Sequence, residues 1–450
     1  MKKLVIFSVA LMTTTLLCLS CQKEDVVAQM DVATTKSEDV QKGKTAHVSY
    51  KDAIQIATEA VAMLEGGATT RSGIKRRVDP SKIKYHVTPT TRSGEGGDTL
   101  YYVVNYADNA GFALVSTSRA EGDPLIAVTE QGNFTPGEET GNPGFDMYIS
   151  LLNDRPSPRP EGPTSPIDTT FHGFGPFYEY ISLDEGSVEP MLTVKWGQET
   201  PYNLECPLNE HGTAISPAGC VATAIAQIMS YHEYPNSYVR KYHDSNNTTA
   251  QSINWANLKR HISSSGCTYD CDYISLAQLF HEIGFKANIR YGERLQQTGP
   301  YSSWTTTDET LGCIDSFGYD VSGIFSYGFN AVRVDLDNSR PVYMEGKTIE
   351  AREAHAWVVD GYYHRMEHVI EYYEDGFEGN RTITDEYIEN ITLLHINWGW
   401  DGEGNGYFRD GVFQPSNPVI LDSDDLDSDE TSNYNDSSYL KIISGITPLN

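Results

Sequence analysis

Apolar residues recur at three- and four-residue spacing through Ala53, Ile56, Ala57, Ala60, Val61 and Leu64, the period of an amphipathic helix. Ser49 stands where an N-cap belongs, and Gly66-Gly67 where the helix must stop. Residues 99–106 and 111–117 are instead dense in Tyr, Val and Leu, and Ala107-Asp108-Asn109-Ala110 between them reads as a hairpin turn. Residues 124–129 read as a further strand. These elements make 48–150 a small α+β domain. Residues 151–190 carry many Pro and Gly, as in Arg155-Pro-Ser-Pro-Arg-Pro160, and read as an extended linker within easy reach of a protease. Residues 191–450 read helical first, around 220–232 and 274–283. They read as strands later, at 341–344, 355–362, 393–398 and 439–443. That order predicts an α+β fold of two subdomains with a cleft between them.

The N-terminus adds an address. Lys2 and Lys3 precede an apolar run over residues 4–19, shorter than the roughly 20 residues a spanning helix needs. The run ends Leu17-Cys18-Leu19-Ser20-Cys21. Residues 1–20 are read as a lipoprotein signal and Cys21 as the lipidated residue, an ordinary signal peptide being the alternative. Residues 21–47 are polar and read as a tether. The expected location is the bacterial cell envelope, by a lipid anchor at the outer membrane or periplasm, with release of the mature chain outside the cell as a further expectation.

Composition narrows the classes. The 450 residues are 39% hydrophobic and 11% aromatic, enough to bury a full core. The formal charge of −29 argues against nucleic acid as a partner, because phosphate neutralisation needs clustered Lys and Arg. Of seven cysteines, Cys18 leaves with the signal and Cys21 is assigned to the lipid. Cys206, Cys220, Cys267, Cys271 and Cys313 remain, an odd set in which at least one thiol stays unpaired within the chain. Cys267 and Cys271 could close a small disulfide loop or supply half a metal site, but no partner pair with zinc spacing lies nearby. The Asp/Ser/Asn-rich stretch 422–436 reads as a solvated loop, with weak calcium binding as the lesser alternative. No cofactor is expected.

The chemistry gathers in four places. In Ser216-Pro-Ala-Gly-Cys220, Pro217 and Gly219 break structure and a strong helix former follows. Cys220 therefore opens a helix, where the dipole and free N–H groups favour a thiolate and can face an oxyanion. A buried structural Cys fits the local pattern as well. His355 begins the apolar strand His355-Ala-Trp-Val-Val-Asp-Gly361 and could be a base or a satisfied core residue. His395-Ile-Asn397-Trp398 ends another apolar strand. Asn397 could orient an imidazole and Trp398 could shield that bond. His395 is the rival base. Gln198, in Trp196-Gly-Gln198, could donate to an oxyanion or be a loop residue. The order Cys220, His355, Asn397, with His and Asn roughly 130–150 residues or more past the Cys, is that of papain-like proteases.

Together these segments resemble the streptopain family of papain-like bacterial cysteine proteases. The matching stretches are Trp196-Gly-Gln198 with Pro201-Tyr-Asn203, Gly219-Cys220-Val-Ala-Thr-Ala with Ala226-Gln-Ile-Met and Tyr234-Pro235, Pro341-Val-Tyr343, His355-Ala with Val359-Asp-Gly361, and Asn397-Trp-Gly-Trp400. They extend over essentially all of 191–450. The resemblance implies a papain-like catalytic domain with Cys220 as nucleophile and His355 as base. It further implies Asn397 as orienter, Gln198 as oxyanion donor and Trp398 as shield. The 48–150 domain is similar, more loosely, to the family's inhibitory propeptide through Tyr101-Tyr-Val-Val-Asn105 and Gly111-Phe-Ala-Leu-Val115. The implied function is a zymogen cysteine endopeptidase acting on proteins or peptides, with its own propeptide as intramolecular inhibitor and another protease as a candidate activator. A transglutaminase-like acyl transferase and a non-catalytic surface lipoprotein that binds proteins are the alternatives. Four features depart from the pattern. The papain motif around the Cys is absent, and the apparent lipobox replaces a secretory signal. Residues 348–354 are charged where streptopain has Gly. Residues 364–390 are longer and more charged than the family pattern.

Overall fold

The computed structural model describes residues 47–64, 83–87, 99–119, 122–153, 173–241, 248–259, 271–294, 301–347, 354–375, 379–413 and 440–449, with single positions 78 and 81. The signal peptide, Cys21, nearly all of the tether, residues 154–172, Cys267 and the acidic stretch 422–436 lie outside them, and of Cys271 only the backbone is described.

The N-terminal part runs α1 (Tyr50–Leu64), β1 (Lys84–Val87), β2 (Thr99–Asn105), β3 (Phe112–Ser116), β4 (Leu125–Thr129) and α2 (Pro143–Asn153). A long strand β5 (Gly173–Val188) follows. The C-terminal part continues α3 (Cys220–His232), β6 (Ser237–Lys241), β7 (Thr248–Ser252), α4 (Trp255–Leu258), α5 (Cys271–Lys286), β8 (Arg290–Arg294), β9 (Tyr301–Trp304), α6 (Thr307–Ser316), β10 (Tyr319–Asp320), β11 (Gly323–Ser326) and α7 (Phe329–Asp337). Then come β12 (Val342–Lys347), β13 (Ala354–Asp375), β14 (Arg381–Asn397), β15 (Gly406–Arg409), α8 (Asp410–Phe413), β16 (Leu440–Ser444) and β17 (Thr447–Pro448). Helices first and strands afterwards is the order read from the sequence, and the fold is α+β.

One antiparallel sheet joins both parts, in the order β1-β2-β3-β4-β15-β14-β13-β12-β16-β11. The seam is β4 against β15, with Thr129 opposite Gly406 and Ala127 opposite Phe408. Only glycine fits position 406. A Cβ there would lie 2.2 Å from the Val128 carbonyl oxygen, and its φ is +155°. Alternation along β13 sends Ala356 and Val358 to one face, under α3, α5 and α6. Trp357 and Val359 go to the other face, under α2, α7 and α8. Burial on both faces is why 356–359 reads as an unbroken apolar run. A third core lies beneath α1, where Ala53, Ala57, Ala60 and Leu64 pack on Val104, Val115 and Val128. Truncating Leu64 to Ala there would cost about 2–5 kcal/mol.

The segment read as linker is not linker throughout. Residues 173–188 form β5, which pairs with β13 from Val188 opposite Tyr362 to Gly173 opposite Asp375. The Pro cluster lies before it, and its own Phe177, Tyr178, Tyr180, Ile181 and Leu183 are strand formers. The charged insertion noted at 364–390 is the distal half of β13 and β14, so β5, β13 and β14 make a three-stranded arm beyond the main sheet. Arg333 clamps β5 through a two-pronged bond to Asp184 at 2.6 and 3.0 Å.

Candidate active site

The turn before α3 is built to present a sulfur. Gly219 sits at φ +93°, outside the range that suits other residues. The Ala218 N–H donates to the Gln198 carbonyl at 2.8 Å. The Thr223 hydroxyl donates to the carbonyls of Gly197 and Gly219, both at 3.1 Å. Gln198 and Cys220 are thereby stitched to one another. Cys220 is the first residue of the helix. Backbone N–H groups of Ala356, Val221 and Cys220 point at its sulfur and favour a thiolate. Burial outweighs them, and with the Glu345 carboxylate it pushes the thiol up to about 11.

Gln198 is 8% exposed, and its buried Nε2 finds no acceptor among the described residues. An unpartnered buried donor is costly, and this one is available to a developing negative charge.

His355 lies opposite Gly346 at the start of β13 and is 4% exposed. Its ring stacks near Trp357, with centroids 6.3 Å apart, on the α2 side of the sheet. Its Nε2 lies 3.0 Å from the Trp398 carbonyl oxygen. A carbonyl can only accept, so Nε2 carries the proton and Nδ1 has the lone pair. Burial pulls the imidazole down to about 4, so it is neutral. Asn397 is engaged elsewhere: its amide donates to the Val194 carbonyl at 2.9 Å and its oxygen accepts from Gly399 N–H at 3.1 Å. Trp398 is fully buried against Trp357 and Phe408, and its Nε1 donates to Gly404. The structure thus brings His355 to Trp398 and joins it by no hydrogen bond to Cys220 or Asn397.

The cause is α2. Asn142 caps this helix, accepting from Phe145 N–H at 3.2 Å and donating to the Glu403 carbonyl at 2.9 Å. Gly144 in its first turn lies flat on the imidazole. A Cβ there would be 2.5 Å from His355 Cδ2 and 2.4 Å from Trp398 Cε3. The sequence reading missed α2, although Asn142 before Pro143 is an N-cap and first-turn signal.

His395, the rival base, is tied into a different cluster. Its Nδ1 lies 2.6 Å from Asp360 and its Nε2 lies 3.4 Å from Glu130, which also pairs with Lys195 at 2.6 Å. Burial would lower its pKa, but Asp360 and Glu130 overcome that and push it up to about 9. An imidazole that stays cationic up to about pH 9 is no general base near neutral pH. Glu130, at the end of β4, was also missed, since only the fold brings it to His395. Cys206 and Cys313 are buried, and burial pushes both thiols up to about 12.

Residues 196–408 match the Peptidase C10 family, and residues 45–155 match the Spi protease inhibitor. Streptopain of Streptococcus pyogenes serotype M1 is 24% identical over 389 residues, which is 79% of this chain and 84% of that protein. The thiol protease/hemagglutinin PrtT of Porphyromonas gingivalis is 23% identical over 386 residues, 78% of this chain and 40% of that protein. A solved prointerpain A fragment from Prevotella intermedia superposes with a TM-score of 0.48 at 20% identity, covering 81% of this chain and 99% of that one.

Proposed function

From the premise that this chain belongs to the Peptidase C10, or streptopain, family, we propose how its cysteine endopeptidase is built and held latent. Cys220 is the nucleophile and His355 the general base. The observation that carries this is the meeting of α2 with the site: the inhibitor domain lays Gly144 on His355 and Trp398, where the catalytic base of a zymogen would have to be blocked.

In the latent chain the thiol and the imidazole are both neutral, and no hydrogen bond joins them. Departure of α2 frees His355 to turn toward the sulfur, with Nε2–H donating to Asn397 and Nδ1 facing the thiol. Nδ1 then takes the Cys220 proton and the thiolate attacks the peptide carbonyl. The Gln198 amide and N–H groups at the start of α3 receive the oxyanion. The C–N bond breaks as His355 returns its proton to the leaving amine. Water, deprotonated by His355, then hydrolyses the acyl-enzyme, releasing the acid and the thiol. Trp398 keeps water from the His355–Asn397 bond. Cleavage between the two domains, by the enzyme itself or by another protease, would start this sequence. The run ending at Cys21 supports export and a lipid anchor in the envelope. Incorporation of labelled fatty acid should therefore disappear in Cys21→Ser.

The deciding experiment uses residues 22–450, wild type beside Cys220→Ala, nicked lightly between the domains. Hydrolysis of an unfolded protein is followed under reducing conditions. Wild type should cleave it and the Ala variant should be silent. Equal cleavage by both would remove Cys220 from the mechanism. Amide transfer to an added amine in place of hydrolysis would make the enzyme an acyl transferase.

A further inference from the structure

The walls beside the nucleophile carry an unassigned charge. On one side, a Cβ at Gly219 would lie 3.1 Å from the Ser303 carbonyl oxygen, and the Ser303 hydroxyl donates to Pro217 at 2.8 Å. The chain runs from there through Thr305 into α6 at Thr307. On the other side stands β12. Glu345 lies opposite Ala356, and Ala356 and Tyr343 both face the core beneath α3. Side chains alternate along a strand, so Glu345 points to the same side of the sheet as Cys220. Its carboxylate accepts from the Tyr343 hydroxyl at 2.8 Å and from the Thr307 hydroxyl, which locks it between the two walls. It is half-buried, and its charge reaches the Cys220 sulfur. Lys441 stands opposite on β16, yet among the described residues no Lys or Arg nitrogen pairs with Glu345. A half-buried carboxylate held by two neutral hydroxyls, beside the nucleophile and without a cation, is an electrostatic demand on whatever enters the cleft.

We propose that Glu345 is a specificity-determining residue, selecting a Lys or Arg side chain at one substrate position beside the scissile bond. This rests on the protease reading. A polypeptide whose carbonyl carbon meets the Cys220 sulfur must lay a neighbouring side chain along the walls formed by residues 303–307 and β12. A cationic tip reaching Glu345 satisfies it, an apolar one leaves it unpaired, and an anionic one is repelled. The net charge of −29 would favour cationic peptides at every position and would fade with salt. A partly buried contact acts at one position and persists in salt.

The test is a positional peptide library cleaved by the nicked full chain at low and high salt, wild type beside Glu345→Gln and Glu345→Asp. Wild type should prefer Lys or Arg over norleucine at one position by about tenfold in kcat/KM, at both salt concentrations. Within Glu345→Gln that ratio should fall to near one, and Glu345→Asp should keep part of it. Because the ratio is taken within each enzyme, a loss of folded protein does not imitate the result. As a second readout, alkylation of Cys220 by anionic iodoacetate relative to neutral iodoacetamide should rise in Glu345→Gln. An active wild type with no positional preference for a cation, or an unchanged ratio in Glu345→Gln, overturns the assignment of Glu345. A wild type silent on every peptide overturns the protease reading itself.

Discussion

At the scale of single residues, burial sets the resting chemistry. It holds the Cys220 thiol up at about 11 and the His355 imidazole down at about 4, so neither carries the charge that a reactive ion pair needs. Gln198 is the opposite case, a buried donor without an acceptor among the described residues, which is the preorganisation an oxyanion site requires. Gln198→Ala should lower kcat by about 10²–10³-fold in the activated enzyme. Alkylation of Cys220 by iodoacetamide, which makes no oxyanion, should be nearly unchanged. If both rates fall together, Gln198 only holds the turn in place. These residue types and their order were legible in the chain, because Cys220, His355 and Asn397 follow in the papain-like order, although Pro-Ala-Gly-Cys before a helix former fits a structural Cys as well. Their latent arrangement was not legible. The bond from His355 to the Trp398 carbonyl and the occupation of Asn397 by Val194 and Gly399 depend on which backbones meet.

At the scale of elements, the proposed latency rests on the placement of α2. The helix touches the site through a residue with no side chain, so its fit depends on the absence of a Cβ. Gly144→Val would put carbon where His355 and Trp398 already are. The helix should be displaced by overpacking that costs about 1–3 kcal/mol, and activation of the intact chain should speed by roughly tenfold or more. The time course of activation checks it, and a slower or unchanged course would show that α2 is not the plug. The sequence gives α1 and the β2–β3 hairpin plainly, because their periodicity is clean. It hides α2, whose helical run is short and whose Phe145 and Tyr148 pack on Phe408 and Phe413 of the other domain. It also hides β5, whose strand formers follow directly on a Pro-rich stretch.

At the scale of the molecule, the two domains share one sheet and one cluster of charges. Glu130 comes from the inhibitor domain, and His395, Asp360 and Lys195 from the catalytic one. Tyr407 packs its ring on His395 at 5.0 Å. The contact with His395 and Lys195 holds the Glu130 carboxyl well below its ordinary value against the opposing effect of burial. The sign of the pH dependence follows. Glu130 is depressed in the closed form, so its contribution is present above its ordinary value of about 4.5 and is lost as pH falls below that. His355 is depressed while covered, so protons also favour opening below about 6.5. His395 is raised to about 9 with Glu130 in place, so its contribution fades as pH rises through about 9. Closure should be tightest near pH 6.5 and weaken progressively towards pH 9, and activation of the intact chain should be slowest near pH 6.5. Glu130→Gln should speed activation at pH 7 by about 100-fold or more, as removal of one partner from a buried ionic cluster does, and should flatten the rise on the alkaline side. An activation rate indifferent to pH, or to Glu130→Gln, would leave the domains held by apolar packing and the β4–β15 seam alone.

The sequence by itself determined the α+β class, the division into an inhibitor-like domain and a larger one, and the candidate Cys, His, Asn and Gln proposed to carry the chemistry. Those properties are local, set by hydrophobic period, by helix and turn signals, and by residue types in a fixed order. Only the tertiary structure decided what each of those residues touches. Gly144 and His355, Glu130 and His395, and Thr307 and Glu345 are pairs far apart in the chain, brought together by antiparallel register, the β4–β15 seam and the packing of helices on both faces of one sheet. Latency and the charge facing the cleft are properties of such pairs, so they exist only once the chain has folded.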